Sequence, residues 1–198
     1  RTVTACQGCR VCPSGVIDSP SLAAAVDREF YGKPVPHKFK VGISGCTNNS
    51  IKAEENDAGI KGWIEPRWDG TACTRCGICE AVCPTKAVSK SGAGEALTVD
   101  RSLCIGCGDC IVSCPTGSMR EESRGYRLFA GGKFGRVPFL GKRILGVLKT
   151  EEEAVTAVAA VLEFFREHGK SRERFGNTLQ RTGYPALETY VKEKADLP

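Results

Sequence analysis

The chain has 198 residues, 41% hydrophobic and 26% charged, proportions expected of an ordinary globular protein with one domain or two small ones. Its net charge of +5 is spread as +1, +1 and +3 over residues 1–70, 71–120 and 121–198, which argues against a nucleic-acid or membrane-surface partner. No run approaches the roughly 18–20 apolar residues of a membrane span; the start, Arg1-Thr2-Val3-Thr4, carries no secretory signal and no Met, as expected of a piece processed from a longer polypeptide.

Residues 1–70 read as α/β. After Pro20, residues 21–30 are expected to be a helix, with Leu22, Ala25, Val26 and Phe30 near helical spacing. Residues 38–43 alternate polar and apolar and predict a strand, which runs into the turn-forming loop 44–50. A second short strand is expected over 58–64, around Gly59, Gly62 and Trp63. Residues 71–118 hold an internal repeat of two cysteine runs, separated by a hairpin-like stretch over 88–99. Residues 121–148 are Gly-rich and basic. Thr150 with Glu153 forms a capping-box pattern, and Val155, Val158, Ala159, Leu162 and Phe165 mark one face of a helix ending near Gly169. A shorter helix is expected from Pro185 to about Lys194.

Cysteine carries the chemistry. Nine of the twelve cysteines sit in C-x2-C-x2-C triplets. One run is Cys73, Cys76, Cys79 and Cys83 followed by Pro84; the other is Cys104, Cys107, Cys110 and Cys114 followed by Pro115. Such spacing lets one turn aim three thiolates at one iron–sulfur cube, and in this ligation pattern the fourth cysteine crosses to the other cluster. Two 4Fe–4S clusters are expected, one on Cys73, Cys76, Cys79 and Cys114, the other on Cys104, Cys107, Cys110 and Cys83. Structural zinc, usually held by two C-x2-C pairs, suits the pattern less well. The runs resemble bacterial two-cluster ferredoxins, which implies single-electron transfer and a reducing, anaerobic cytoplasm. Cys6, Cys9, Cys12 and Cys46 remain, enough for a third 4Fe–4S cluster; for Cys9 the alternative is a buried free thiol.

The run Lys38-Phe39-Lys40-Val41-Gly42-Ile43-Ser44-Gly45-Cys46-Thr47-Asn48-Asn49, the segment Lys52-Ala53-Glu54-Glu55-Asn56-Asp57 with Gly59-Ile60, and the stretch from Gly131-Gly132 to Arg136 together resemble the second half of siroheme-dependent sulfite and nitrite reductases. The resemblance implies an α+β fold: a reductase-like half-domain over 1–70 and 121–198, closed by C-terminal helices, with a ferredoxin domain inserted at 71–120, as in anaerobic and dissimilatory members. It also implies a cluster on cysteines spaced C-x5-C and C-x3-C, the last bridging to siroheme iron. Cys6, Cys12 and Cys46 match the first three positions. The fourth is Ser50, whose hydroxyl is a poor substitute for a thiolate; Cys9, in the same turn as Cys6 and Cys12, offers a replacement ligand.

Lys38 and Lys40 match paired family lysines that face the anionic substrate and stabilise its charge, although alternate strand positions also place two lysines on one solvated face. Lys133 and Arg136, in the Gly-rich segment, are candidates to meet siroheme carboxylates, because glycine allows close backbone approach and arginine pairs with carboxylates at two points; the alternative is a plain surface loop. His37 and His168 carry little signal. The function implied is reduction of sulfite or a related oxyanion with electrons from a donor protein, in an oligomer whose missing half comes from a longer chain or a partner. The alternative is a non-catalytic three-cluster electron-transfer protein without siroheme; a regulatory iron–sulfur sensor has no DNA-binding feature behind it.

Overall fold

The structure, a computed structural model, describes residues 2–90 and 96–197; the middle of the expected 88–99 hairpin, residues 91–95, lies outside the described residues. Its strands are β1 (Thr2–Ala5), β2 (Lys40–Ser44), β3 (Ala58–Trp68), β4 (Val88–Lys90), β5 (Leu97–Val99), β6 (Met119–Ala130) and β7 (Lys142–Leu148). Its α-helices are α1 (Ser19–Phe30), α2 (Ile78–Ala81), α3 (Asp109–Val112), α4 (Glu151–His168), α5 (Phe175–Thr182) and α6 (Tyr184–Ala195). The fold is α+β. It divides into two compact units, Arg1–Gly62 with Gly125–Pro198, and Trp63–Arg124.

A five-stranded sheet runs in the order β1-β2-β3-β6-β7. β1, β2 and β3 are parallel, from Thr2↔Lys40 to Ala5↔Ile43 and from Val41↔Ala58 to Ser44↔Lys61, whereas β6 and β7 are antiparallel, with a register shift between Tyr126 and Leu128. β2 begins at Lys40, two residues later than the alternation predicts. The reason is local: the Lys40 N–H donates to the Asp57 carboxylate at 2.9 Å, which fixes where the strand starts. β3 runs on to Trp68, past its expected end. The segment expected only to be Gly-rich and basic contains β6 and β7, whose charged residues at 120–124 hide the alternation on which a strand is read.

Two helix starts follow from side-chain caps. The Asp18 carboxylate accepts from Ser21 N at 3.0 Å, so α1 starts at Ser19, ahead of Pro20 in its first turn, and buries Leu22, Val26 and Phe30. Thr150 Oγ1 accepts from Glu153 N at 3.1 Å, and the Glu153 carboxylate reaches back to Lys149 N at 2.7 Å, a capping box displaced by one residue. α4 then buries Val158, Val161, Leu162, Phe164 and Phe165. Phe39, 1% exposed, anchors this core: its ring lies 5.8 Å from Phe165 and 5.5 Å from Phe175. α5, which carries Phe175, has no side-chain cap and only two large apolar residues, Phe175 and Leu179, one turn apart on its buried face.

The loop 44–57 folds back over the strands, and two glycines make room for it. A Cβ on Gly59 would meet Ala53 O at 2.1 Å, and one on Gly62 would meet Gly45 O at 2.3 Å.

Just before α5, Glu173 accepts from Arg181 Nη2 at 2.8 Å, Lys170 N at 2.9 Å and Thr178 Oγ1 at 3.0 Å. These donors, Arg181 first, hold its carboxyl down at about 2. An unfolded Glu titrates near ~4.3, so its contribution is full above that value and is lost as pH falls through the folded value. The stability gap between wild type and Glu173→Gln, read from urea midpoints at matched pH, is therefore expected to be constant from neutrality to roughly pH 5 and to close in stronger acid. A gap that stays open at the acid end would contradict this.

In the second unit, β4 pairs antiparallel with β5 from Val88↔Val99 to Lys90↔Leu97. α2 and α3 are one-turn helices, each entered through a left-handed glycine, Gly77 at φ 79° and Gly108 at φ 82°. The buried core here is Cys79, Val88, Leu97, Cys110 and Met119, so cysteines take the place of ordinary apolar side chains.

Candidate iron–sulfur centres

The two cysteine runs sort into two cavities. Cys73, Cys76, Cys79 and Cys114 line one, with Trp68, Leu97 and Met119 in its wall (site 1). Cys104, Cys107, Cys110 and Cys83 line the other, with Pro66, Val88, Val99 and Ile105 (site 2). Each cavity takes three cysteines from one run and the fourth from the other.

Each fourth cysteine is met by hydrogen-bond donors. Cys83 Sγ accepts from Ala87 N at 3.2 Å and lies 3.8 Å from Thr85 Oγ1; Cys114 Sγ accepts from Met119 N at 3.4 Å and lies 3.7 Å from Thr116 Oγ1. Burial pushes the Cys114 thiol up, but bonds from Met119, Thr116 and Ser118 outweigh it and bring it to about 7. Cys110 goes the other way: burial, and then the neighbouring Cys107, Cys104 and Cys83, push it to about 12. Sulfurs that repel one another when charged need a cationic centre among them.

The residues fit cubane clusters. Among the described residues no three His, Cys, Asp or Glu converge on a single-ion position, whereas four thiols surround each cavity. At site 1 the buried Trp68 Nε1 has no hydrogen-bond partner, so an N–H donor stands ready in a wall residue. Sequence reasoning missed Trp68, Thr85 and Thr116. The last two were legible, because a threonine follows the Cys-Pro pair in both runs.

In the first unit, Cys6 packs against the 44–50 loop. Its sulfur accepts from Gly45 N at 3.0 Å and lies 3.6 Å from Ser19 Oγ. Burial raises this thiol, but bonds from Ser19, Gly45, Gly8 and the Ser50 hydroxyl outweigh it, and the balance lowers it. Cys46 is buried, while Cys9, in the 3-10 turn Gly8–Arg10, and Cys12 are exposed. Ser50 is the weakest of the groups that lower the Cys6 thiol, and Cys9 and Cys12 lie at the surface. A hydroxyl at position 50 does not fit the role of a thiolate bridge to siroheme.

The loop beyond Ser44 is organised by Asn49, in left-handed backbone at φ 59°. Asn49 Oδ1 accepts from Ala53 N at 2.8 Å and from Ser44 Oγ at 3.2 Å, and its Nδ2 donates to Glu54 at 2.5 Å. Glu54 pairs with Lys61, whose ammonium lies 4.5 Å from the centre of the Phe129 ring. Lys38 is exposed and Lys40 half-buried, flanking buried Phe39. Lys133 bridges to Phe139 across a hairpin, its ammonium 5.2 Å from the Phe139 ring and 3.5 Å from Asn177 Oδ1, and Arg136 is exposed between the two bridge residues.

An α+β fold with paired four-cysteine cavities defines an iron–sulfur protein, and the comparisons give its family. The chain belongs to the nitrite and sulphite reductase 4Fe-4S domain family, whose signature matches residues 1–197. It is 37% identical, over 98% of its length, to a coenzyme F420-dependent sulfite reductase of Methanocaldococcus jannaschii, and 32% identical, over 84% of its length, to one of the subunits of the anaerobic sulfite reductase of Salmonella typhimurium. It spans 31% and 50% of the lengths of these relatives. Among solved structures it resembles dissimilatory sulfite reductase I, with a TM-score of 0.72 at 21% identity over all of this chain and 52% of that one. No helix among the described residues is long and apolar enough to cross a membrane.

Proposed function

We propose that the chain is the electron-carrying portion of a sulfite-reductase-type oxidoreductase. In this reading the 71–120 segment is an inserted ferredoxin domain with 4Fe–4S clusters at sites 1 and 2. Cys6, Cys9, Cys12 and Cys46 would hold a third cluster, and a siroheme held without the family's bridging thiolate would supply the redox chemistry on sulfite or a related oxyanion. The observation that carries the reading is the sorting of eight cysteines into two cavities, three and one from each run. Bound clusters store and release single electrons. The chain's part is to aim the thiolates from the turns before α2 and α3, to stabilise them with N–H donors at Cys83 and Cys114, and to offer cations at Lys38, Lys40, Lys133 and Arg136 to anionic groups. Relatives named as sulfite reductases support sulfite as the oxyanion. Because the chain spans only part of their lengths, an electron donor and the rest of the active site are assigned to further sequence or a partner chain.

A second reading, a three-cluster electron-transfer protein without siroheme, is favoured by Ser50, a hydroxyl where a bridging thiolate would be needed. The absorption spectrum and iron content of anaerobically purified protein test both. The first reading expects siroheme bands at the red end with about twelve iron per chain from three four-iron clusters; an iron–sulfur shoulder alone leaves the second. Cys9→Ala is expected to remove about four iron, and an unchanged count would rule Cys9 out as a ligand.

A further inference from the structure

The two runs are matched position for position, so their differences can be read directly. In C-x2-C-x2-C, Arg75 of the first run corresponds to Gly106 of the second, and Ile78 corresponds to Asp109. Both members of the first pair adopt left-handed backbone, Arg75 at φ 58° and Gly106 at φ 68°. Glycine suits that conformation, and at 106 nothing else fits, because a Cβ there would lie 2.3 Å from the Trp63 ring. A non-glycine residue in this region is strained by roughly 1–2 kcal/mol. The first run therefore keeps a guanidinium where the backbone prefers glycine, and strain held at a site points to a function there.

The surroundings diverge in the same sense. Arg75 and Lys90 both contribute to the wall of site 1, with Trp68 and its unpartnered indole N–H. The noncysteine wall of site 2 is mostly apolar, formed by Pro66, Ala87, Val88, Val99, Ile105 and Gly108 with Thr85, and the Asp109 carboxylate lies within hydrogen-bonding reach of Cys107. Glu80 of the first run and Asp109 of the second are both exposed and line neither cavity, but Asp109 lies between Cys107 and Cys110 in the chain, where Glu80 follows the third cysteine of its run. Cys76 is exposed, whereas its counterpart Cys107 is half-buried. Nearby cations, N–H donors to sulfur and solvent all favour the reduced, more negative state of a cluster; a carboxylate and apolar burial oppose it.

We propose that Arg75, Lys90, Trp68 and Asp109 set the direction of electron flow inside the module, making site 1 the stronger acceptor and site 2 the donor to it. The proposal rests on the reading that both sites hold clusters. One electron leaves site 2, which is oxidised, and enters site 1, which is reduced; no bond forms or breaks. A low-potential one-electron donor restores site 2, and dithionite serves as that donor in the test.

The test is an EPR-monitored redox titration of the full, anaerobically prepared chain with its iron counted, and Cys73→Ser and Cys104→Ser assign each signal to its site. Site 1 is expected to hold the electron at least tenfold more often than site 2, about 59 mV for a one-electron couple. Arg75→Gly, which relieves backbone strain and so keeps the fold, should lower the site 1 midpoint; Arg75→Lys should restore it, and Asp109→Asn should raise the site 2 midpoint alone. Coincident or inverted midpoints, or variants that leave both unmoved, overturn the proposal. Fewer than two cluster signals, with iron below about eight per chain, overturn instead the cluster reading on which it stands.

Discussion

Removing iron and sulfide from the chain is expected to unfold the Trp63–Arg124 unit and leave the sheet unit folded. The second unit has little else to hold it. Apart from the ends of β3 and β6, its strands β4 and β5 have three residues each, its helices α2 and α3 have four each, and its buried core is five residues, two of them cysteines. One-turn helices do not persist without tertiary support, a lone two-stranded ribbon is marginal in water, and small units of this kind draw their folding free energy from the metal. The sheet unit differs, because Phe39, Phe164, Phe165, Phe175, Leu22 and Ile43 form a core that owes nothing to a cofactor. Limited proteolysis read by mass spectrometry should place cuts of the stripped chain within 63–124, and reconstitution with ferrous iron and sulfide should abolish them. A stripped chain that resists protease across that segment would refute cluster-dependent folding.

Asp57→Ala is expected to be the most damaging single substitution in the sheet unit, at about 3–5 kcal/mol. Asp57 is fully buried, and its two carboxylate oxygens accept from Arg174 Nη2 at 3.0 and 2.8 Å while Oδ2 also takes Lys40 N at 2.9 Å. The substitution leaves a mostly buried guanidinium without its counter-charge and a strand-start N–H without its acceptor. Arg174 Nε is already buried without a hydrogen-bond partner, so the guanidinium has no reserve on that side. Asp57→Asn keeps an acceptor for Lys40 and should cost less, about 1–3 kcal/mol. Urea unfolding of the loaded protein under anaerobic conditions gives the comparison, and equal losses for the two variants would show that charge at Asp57 is unimportant.

The parts of this protein legible in its sequence are those where local chemistry is repetitive. The expected ligand groupings came from the spacing of two short runs, and the cavities gather the same eight cysteines. The start of α4 was written in Thr150 and Glu153, although the glutamate caps Lys149 and not Thr150. What escaped depends on partners distant in sequence. Nothing local at Asp57 reveals Arg174, 117 residues away, and nothing at Phe175 reveals Phe39. β6 escaped because its first half is nearly all charged and exposed, which obscures a two-residue period. Ser50 was visible as a departure from the family pattern, but only the fold shows that Cys6 takes its hydrogen bonds from Gly45 and Ser19.

β3 and β6, the strands on which the chain leaves the sheet unit and returns to it, are neighbours in that sheet. An excursion whose two ends are already side by side adds little to the entropy of closing the loop, since each doubling of loop length costs only about 0.6 kcal/mol. To the sheet, the segment from 63 to 124 is topologically equivalent to an overgrown turn. Such a joint lets the segment be lengthened, shortened or exchanged as a single block, with the order of the host strands left as it was.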